Sequence, residues 1–172
     1  MSEFKKRFAL LARHEGVWDG WYRYYEAAGE KIDEHRSRLV CRFPDSGRFA
    51  YDQTNHYSWA DGRRDVRGFP ANAGPTGDRI VFESDLIEGW AADVALDTAA
   101  RTTMLHWVRR NEPGVYLYEM IQISDCGRYR SRVWHWFRDG RLYQRTLIDE
   151  EKVSSQWRDI TGPSFAGEPL PA

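Results

Sequence analysis

Residues 16–25 of the chain read Gly16-Val17-Trp18-Asp19-Gly20-Trp21-Tyr22-Arg23-Tyr24-Tyr25. Five aromatic residues and two glycines stand within these ten positions, directly after a short stretch with helical spacing. Aromatic side chains favour strands, and glycine permits the close approach of two backbones. The stretch therefore predicts the first strand of a closed antiparallel barrel, with Trp18 closing one end.

The rest of the chain favours an all-β fold. Turn residues recur at near-regular intervals, and both Asp61-Gly62 and Asp139-Gly140 are typical of hairpins. The strand-like segments between the turns lie at residues 17–27, 32–43, 48–59, 63–69, 79–87, 89–96, 102–110, 115–124, 128–138 and 141–150. Such a meander must close or split to hide its edges. We expect a closed antiparallel up-and-down β-barrel of about 8–10 strands with a short N-terminal helix.

The helix is predicted over residues 2–14, where Ser2 is a suitable N-cap and Phe4, Phe8 and Leu11 share one face. We expect it to cover one end of the barrel. The whole chain, residues 1–172, is interpreted as a single domain, with an irregular tail at 160–172 that is rich in proline and glycine.

Composition excludes several classes of protein. Of the 172 residues, 41% are hydrophobic and 30% charged, which is typical of a globular domain. The net charge of −1 gives no field that favours nucleic acid or a membrane surface. Cys41 and Cys126 form no metal-type spacing, and the N-terminus is not a secretory signal. We therefore expect a cytoplasmic protein with free thiols, no metal, and neither nucleic acid nor a membrane as partner.

Alternation along the strands assigns the interior side chains. If Trp18 points inward, Tyr22 and Tyr24 do so too, and in the second segment His35 shares a face with Leu39 and Cys41. The third segment alternates most cleanly and places on one face Phe49, Tyr51, Gln53, Asn55, Tyr57 and Trp59. Amides between aromatic rings suit a ligand cavity, because pockets combine apolar walls with a few polar groups. The alternative is a solid core in which the amides satisfy one another.

Two later segments leave the inward face open. In the eighth, Glu119 lies on an aliphatic face and would need a partner if that face is buried. The ninth carries a row made of Arg128, Arg130, Arg132, Trp134 and Trp136. We expect this row to be an outer stripe whose arginine stems cover the rings. The alternative is that Arg130 or Arg132 points inward and meets Glu119 or an anionic ligand.

Gly16-Val17-Trp18, after a short helix and at the start of an up-and-down barrel, resembles the glycine-x-tryptophan signature of the lipocalin (calycin) superfamily. The resemblance implies that the tryptophan closes the barrel floor and that a late arginine, Arg145 or Arg158, packs across its ring. Uncharacterised bacterial and cyanobacterial lipocalin-like proteins, distantly related to phycobiliprotein lyases, are more similar still. The matching runs are Gly16-Val17-Trp18-Asp19-Gly20 and Gly140-Arg141-Leu142…Asp149-Glu150. No chromophore-attachment residue is carried over, so the bilin role is not carried over either.

The functional hypothesis is that the barrel binds a small hydrophobic or aromatic ligand with a polar end. The candidate ligand-binding residues are Tyr22, Tyr24, His35, Tyr51, Gln53, Asn55, Tyr57, Trp59, Glu119 and Arg132. No catalytic residue is assigned and no cofactor is expected. His106 and His135 are the candidate axial ligands of a haem, but strand histidines between aromatic residues are more typical of packing.

Two other functions stay open. The first is isomerase- or cyclase-type acid–base chemistry in the same cavity, for which His35, Glu83, Glu119 and the interior tyrosines supply the residue types. The second is a filled barrel that binds another protein, or forms a homodimer, through the outer aromatic residues Trp21, Tyr25 and Trp107.

Overall fold

A computed structural model describes residues 2–159 of the chain. Two short helices come first, α1 (Glu3–Arg7) and α2 (Ala9–Ala12). The strands are β1 (Gly16–Glu26), β2 (Lys31–Arg42), β3 (Tyr51–Ser58), β4 (Arg64–Ala73), β5 (Ile80–Glu83), β6 (Ile87–Val94), β7 (Thr102–Arg109), β8 (Val115–Ile123), β9 (Tyr129–Arg138) and β10 (Arg141–Ser154). A single 3-10 turn follows at Trp157–Asp159. The predicted irregular tail at 160–172 lies outside the described residues.

The ten strands form one closed antiparallel barrel in which each strand pairs with its neighbours along the chain. Closure comes from β1, which pairs with both β2 and β10. The predicted all-β up-and-down barrel is thereby confirmed. Because closure removes the sheet edges, a meander of this length needs no second sheet.

The predicted N-terminal helix is divided in two at Phe8, whose backbone leaves the helical region with φ −110° and ψ 60°. In one continuous helix Phe8 and Leu10 would point about 200° apart, since each residue turns by about 100°. The break lets Phe8, Leu10 and Leu11 all be buried against one end of the barrel. As predicted, Ser2 caps α1, with its Oγ accepting from the Lys5 N–H at 3.3 Å.

The Asp139-Gly140 hairpin forms as predicted. Both residues have positive φ, 49° and 77°. Two successive residues of positive φ give the tight turn whose twist matches that of antiparallel strands. The turn therefore starts the pairing of β9 with β10, and an irregularity between Leu142 and Gln144 then shifts the register before the strands reach the charged groups of the interior.

Burial settles the faces that the sequence left open. On β8 the buried residues are Val115, Leu117, Glu119, Ile121 and Ile123, so the aliphatic face points inward and takes Glu119 with it. Cys41 is buried and Cys126 exposed, and both thiols are free. Among the described residues no helix has the length and apolar character needed to cross a membrane.

Candidate functional site

Trp18 forms the floor of the barrel and is fully buried. Its indole Nε1 donates to the backbone oxygen of His14 at 2.8 Å. The guanidinium carbon of Arg130 lies 4.2 Å from the Trp18 ring centroid, and the Nζ of Lys152 lies 4.9 Å from it. Cations over an aromatic face are attracted by its quadrupole, so both packing and the two nearby cations hold the Trp18 ring in place.

The expectation that Arg145 or Arg158 packs across Trp18 is wrong, because Arg130 occupies that position. Lys152 is the β10 residue opposite Trp18, whereas Arg145 is opposite Tyr25. Seven residues along a strand separate the two positions by roughly 23 Å. Arg158 contacts the ring of Trp157 and pairs with Asp45 at 2.7 Å.

The expected outer arginine stripe on β9 is also wrong. Arg130 and Arg132 are only 4% and 5% exposed, and Trp134 and Trp136 are buried beside them. Only Arg128, before the strand begins, is exposed. The reason is that two buried carboxylates face the arginines from neighbouring strands, Glu119 on β8 and Glu150 on β10. The alternative in which Arg132 meets Glu119 is the one that the structure shows.

These four charges form one network. Arg132 Nε donates to Glu119 and Arg130 Nε donates to Glu150. Arg132 Nη1 also donates to the Tyr22 hydroxyl at 2.9 Å and lies 3.5 Å from Glu150 Oε1. Burial raises the pKa of Tyr22 well above its ordinary value, so Tyr22 acts as a neutral phenol. Opposite charges in contact compensate the high cost of removing each ion from water.

A chain of hydrogen bonds runs along the inner face of β3. The Tyr51 hydroxyl donates to Gln53 Oε1 at 2.7 Å, Gln53 Nε2 donates to Asn55 Oδ1 at 2.7 Å, and Asn55 Nδ2 donates to the Tyr57 hydroxyl at 2.8 Å. The amides thus satisfy one another, as the solid-core alternative required. The amides also line a cavity, so hydrogen bonding among the amides and a cavity beside them occur together.

The inner cavity has a volume of about 50 Å³. Its polar lining residues are Tyr51, Gln53, Asn55, Thr103, Glu119, Arg130, Arg132 and His14. Its apolar lining residues are Leu11, Phe69, Phe82, Ile87, Ala91, Leu105, Trp107, Ile121 and Trp134. The two kinds are interleaved, since Glu119 pairs with Trp134 and Ile121 with Arg132 across β8 and β9. An apolar interior with a few polar groups is the usual form of a small-molecule site.

A wider outer cavity of about 260 Å³ adjoins the inner one, and the two share Phe69, Trp107 and Trp134. Its remaining walls include Tyr24, His35, Tyr57 and Trp59, together with charged groups such as Asp33, Arg67, Arg109 and Glu112. Trp107, which was expected on the outer surface, is 7% exposed and lines both cavities. Alternation places it on the inward face of β7 with Thr103 and Leu105.

Tyr24 and His35 form a pair in this outer cavity. The Tyr24 hydroxyl lies 3.1 Å from His35 Nε2, and His35 Nδ1 lies 3.1 Å from the backbone oxygen of Arg36. Because that oxygen only accepts, Nδ1 carries the proton and Nε2 accepts from Tyr24. Burial lowers the pKa of His35, which favours this neutral form.

The structure distributes the ten predicted residues over three places. Tyr51, Gln53, Asn55, Glu119 and Arg132 line the inner cavity, and Tyr24, His35, Tyr57 and Trp59 line the outer one. Tyr22 lines neither and lies behind Arg132. His106 and His135 also line neither cavity, and His135 is exposed. Within residues 2–159 no three His, Cys, Asp or Glu side chains are grouped so that they could hold a metal ion.

The cavity residues that the sequence did not identify include His14, Arg130, Trp107 and Trp134, of which it placed the last three on the outer surface. For Arg130 and Trp134 the signal was present, since they share the β9 face with Arg132. His14 lies between α2 and β1, where no strand alternation applies. Its position follows only from the packing of the helices against the floor.

No protein-family profile and no curated protein sequence matches the chain. Some solved structures, however, match the chain. An S-type phycobiliprotein lyase from Guillardia theta matches with a TM-score of 0.66 and 12% identity, over 91% of this chain and 100% of that protein. A protein of unknown function from the DUF3598 family of Nostoc punctiforme matches with a TM-score of 0.64 and 16% identity, over 83% of this chain.

The likeness is one of fold. It confirms the structural resemblance expected from the glycine-x-tryptophan opening, and at these identities it goes no further. This chain spans about half the length of the Nostoc punctiforme protein, 49%.

Proposed function

We propose that the protein binds a small hydrophobic or aromatic molecule with a polar end inside its barrel. The observation that carries this proposal is the pair of adjoining cavities, whose lining combines apolar side chains with polar ones and has aromatic rings around the outer space. The rings supply large contact area at little cost in side-chain entropy, and the polar groups orient the ligand. The outer cavity takes the body of the ligand and the smaller inner cavity takes one end of it.

The interior charges suit binding more than they suit a solid core. A barrel selected for stability alone gains little from buried ion pairs, because apolar residues of similar volume are often as good or better. The same groups beside a cavity present fixed dipoles and charges to a ligand without reorganisation. The likeness to a phycobiliprotein lyase supports including open-chain tetrapyrroles among the compounds to be tested.

The first test is direct binding. Native mass spectrometry of freshly purified protein is expected to reveal a retained molecule or an empty protein that accepts one. Tryptophan fluorescence is then titrated with hydrophobic acids, tetrapyrroles and phenols, since Trp107 and Trp134 line both cavities. At least one class is expected to bind with a dissociation constant in the micromolar range. Binding no better than millimolar across the panel would contradict the proposal.

A pair of alanines on β6 localises the binding. Ala91 lines the inner cavity and is buried, while Ala92 alternates to the other face of the strand. Ala91→Leu fills the cavity with an apolar group and is expected to weaken binding at least tenfold in a protein that still folds. Ala92→Leu adds the same atoms outside and is expected to leave affinity unchanged. Equal affinities in both variants would place the ligand elsewhere.

Acid–base catalysis in the same cavity is a second candidate, favoured by the Tyr24–His35 contact. A neutral imidazole that accepts from a tyrosine can receive a proton relayed through the hydroxyl. The test is whether a compound found to bind is converted to a product, and whether His35→Ala abolishes conversion while binding persists. A bound compound recovered unchanged after prolonged incubation would leave simple binding as the function.

A further inference from the structure

The outer cavity is lined mainly by flat rings. Of the fifteen described residues that line it, nine carry an aromatic or imidazole ring and one, Leu86, is aliphatic. The inner cavity has five aliphatic lining residues and is therefore of a different kind. Since a pocket selects its ligand by the surface that it offers, the lining of the outer cavity bears on the chemical class of the ligand.

One group of these rings comes from the first three strands. It consists of Tyr24 on β1, His35 on β2, Tyr57 on β3 and Trp59 directly after β3. The ring centroid of His35 lies 4.6 Å from that of Trp59, 4.8 Å from that of Tyr57 and 5.5 Å from that of Tyr24. The four side chains thus form one continuous patch of rings centred on His35.

A second group of rings faces the first from across the barrel. Its members are Trp107 on β7 with Trp134 and Trp136 on β9, and the Trp136 ring lies 5.3 Å from Trp107 and 5.7 Å from Trp134. In the closed order of ten strands, β7 stands five strands from β2, and β9 stands five strands from β4. Trp107 is therefore across the barrel from His35, and Trp134 is across from Phe69. All of these residues line the same cavity, so its space lies between two groups of rings.

The volume of the outer cavity sets the size of a ligand that it can enclose. That volume is about 260 Å³. A water molecule takes about 30 Å³ in the liquid, so the cavity has the space of roughly nine waters. A compound of two fused rings is of this size, whereas one of four fused rings is too large to be enclosed.

We propose that the outer cavity binds a planar aromatic system of two fused rings, placed between the His35 group and the tryptophans of β7 and β9. This inference rests on the proposed function and adds to it the chemical class of the ligand, which is aromatic and flat. Aromatic pairs in stacked or edge-to-face contact gain more than their buried area alone provides. A saturated ring system of the same skeleton is thicker and lacks the quadrupole on which that gain depends.

The experiment compares 2-naphthol with trans-decahydro-2-naphthol, which share one ring skeleton and one hydroxyl and differ in saturation. Each is titrated by calorimetry into the full-length protein at pH 7. The aromatic compound is expected to bind at least fivefold more tightly, although the saturated one is the more hydrophobic. Equal or tighter binding of the saturated compound would overturn the inference and leave the proposed function standing. Failure of both probes would also overturn it, and failure of the wider panel as well would count against the proposed function itself.

A third probe tests the size of the ligand. The four-ring compound 1-pyrenol is expected to bind more weakly than 2-naphthol, because the cavity cannot enclose it. Tighter binding of 1-pyrenol would contradict a site for two fused rings.

Substitutions on both sides of the cavity test whether the rings cause the preference. Trp59→Leu removes a ring from the His35 group, and Trp107→Leu removes one from the facing group. Each is expected to lower the preference for 2-naphthol over its saturated analogue to less than twofold, because leucine keeps apolar surface and has no ring. Trp90→Leu is the matched control, since Trp90 precedes the inward-facing Ala91 on β6 and its ring lies beside His106 on the outer face. It is expected to keep the full preference, and an unchanged preference in both cavity variants would overturn the inference.

Two further variants separate the ring from its other effects. Trp59 Nε1 donates to Asp33 at 3.0 Å, and Trp59→Phe loses this hydrogen bond but keeps a ring. Trp59→Phe is expected to keep most of the preference, and a loss as large as in Trp59→Leu would assign the effect to Asp33 and contradict the inference. If Trp107→Leu fails to fold by circular dichroism, Phe69→Leu replaces it, because Phe69 is only partly buried. Its preference is expected to fall below threefold, and an unchanged value would contradict the proposed site.

Discussion

At position 20 the barrel has room for a hydrogen atom and for no side chain. A Cβ placed on Gly20 would lie 2.2 Å from the Asp149 backbone oxygen and 2.6 Å from Glu150 Cγ. The missing side chain therefore makes space for the stem of Glu150, the carboxylate that pairs with Arg130. The second glycine of the opening stretch is thus a requirement of the buried charge network.

Gly20→Ala is expected to lower the free energy of unfolding by about 1–3 kcal/mol, because overpacking a tight interior forces strand and side-chain shifts. Urea denaturation measures the loss. Gly68→Ala on β4 is the matched control, since no atom lies within 4 Å of the added Cβ and the backbone there is not left-handed. It is expected to be neutral or slightly stabilising. Equal effects of the two substitutions would contradict the tight contact at Gly20.

His14 gives stability a pH dependence whose sign follows from its lowered pKa. In the unfolded chain a histidine takes up a proton near pH 6.5, whereas buried His14 stays neutral to lower pH. The unfolded state then binds more protons, so stability falls as pH falls below about 6.5 and is flat above it. His35, whose pKa burial also lowers, acts in the same direction.

The free energy of unfolding is therefore expected to fall between pH 7 and 5.5, with a slope of up to about 1.4 kcal/mol per pH unit for each such histidine. His14→Gln is expected to reduce that slope. Urea denaturation at a series of pH values measures it for both proteins. Identical slopes would show that His14 is not the buried neutral group described above.

The stability of the barrel depends on the ion pair that links β8 to β9. Glu119→Gln leaves Arg132 without its main counter-charge in a buried position. Breaking one side of a buried pair is expected to cost about 3–5 kcal/mol. The double variant Glu119→Leu/Arg132→Met removes both charges and is expected to recover much of that loss.

Chemical denaturation of the two proteins measures this difference. A double variant that is as unstable as Glu119→Gln would mean that the pair contributes more than charge compensation. In that case Tyr22, which accepts from Arg132, would be the next group to examine. Because removing the pair takes away charges beside the cavity, binding by the double variant reports on the site independently of stability.

The difference between β3 and β9 explains what could be predicted from sequence. On β3 the aromatic and amide residues alternate strictly with Asp52, Thr54, His56 and Ser58, so the inward face is assigned correctly from Tyr51 to Tyr57, although His56 on the other face is also buried. On β9 both faces mix aromatic and polar residues, and local pattern does not separate them. The inward face is decided by Glu119 and Glu150, which come from other strands. Which side chains Glu119 and Glu150 meet depends on the register between strands, and a single sequence does not give that register.

At the scale of the whole barrel, the seam between β4 and β5 is the weakest part of the wall. The two strands pair at only three positions, from Ala71 to Ala73 on β4. The preceding part of β4, from Arg64 to Pro70, pairs with β3 alone. By contrast β1 has partners on both sides along nearly its whole length.

Amide hydrogen exchange is therefore expected to be fast in the segment from Arg64 to Pro70 and slow in β1, because exchange follows the local cost of opening. Exchange followed by mass spectrometry compares the two segments within one sample. A ligand in the outer cavity is expected to slow exchange near Arg67 and Phe69, which line it. Equal protection of the two segments in the ligand-free protein would contradict a weak seam.

The number of strands was predictable because nearly every turn carries its own local signal. The exception is the turn between β5 and β6, which lies at residues 84–86 and not at the predicted break between 87 and 89, so Glu88 and Gly89 belong to β6. The cavities were not predictable, since their walls combine side chains from all ten strands with Leu11 and His14 from before the first strand. Their shape depends on how those side chains pack in three dimensions. The glycine-x-tryptophan opening indicated a floor, but not which arginine would lie on it.

The contacts of Arg130 also join parts of the chain that are synthesised at different times. His14 and Trp18 stand around the start of β1, whereas Arg130 comes 116 residues after His14. At roughly 5–20 residues per second, synthesis of that interval takes on the order of ten seconds. Until β10 has been made, β1 has only β2 beside it. The barrel can therefore close only after its final strand has been synthesised.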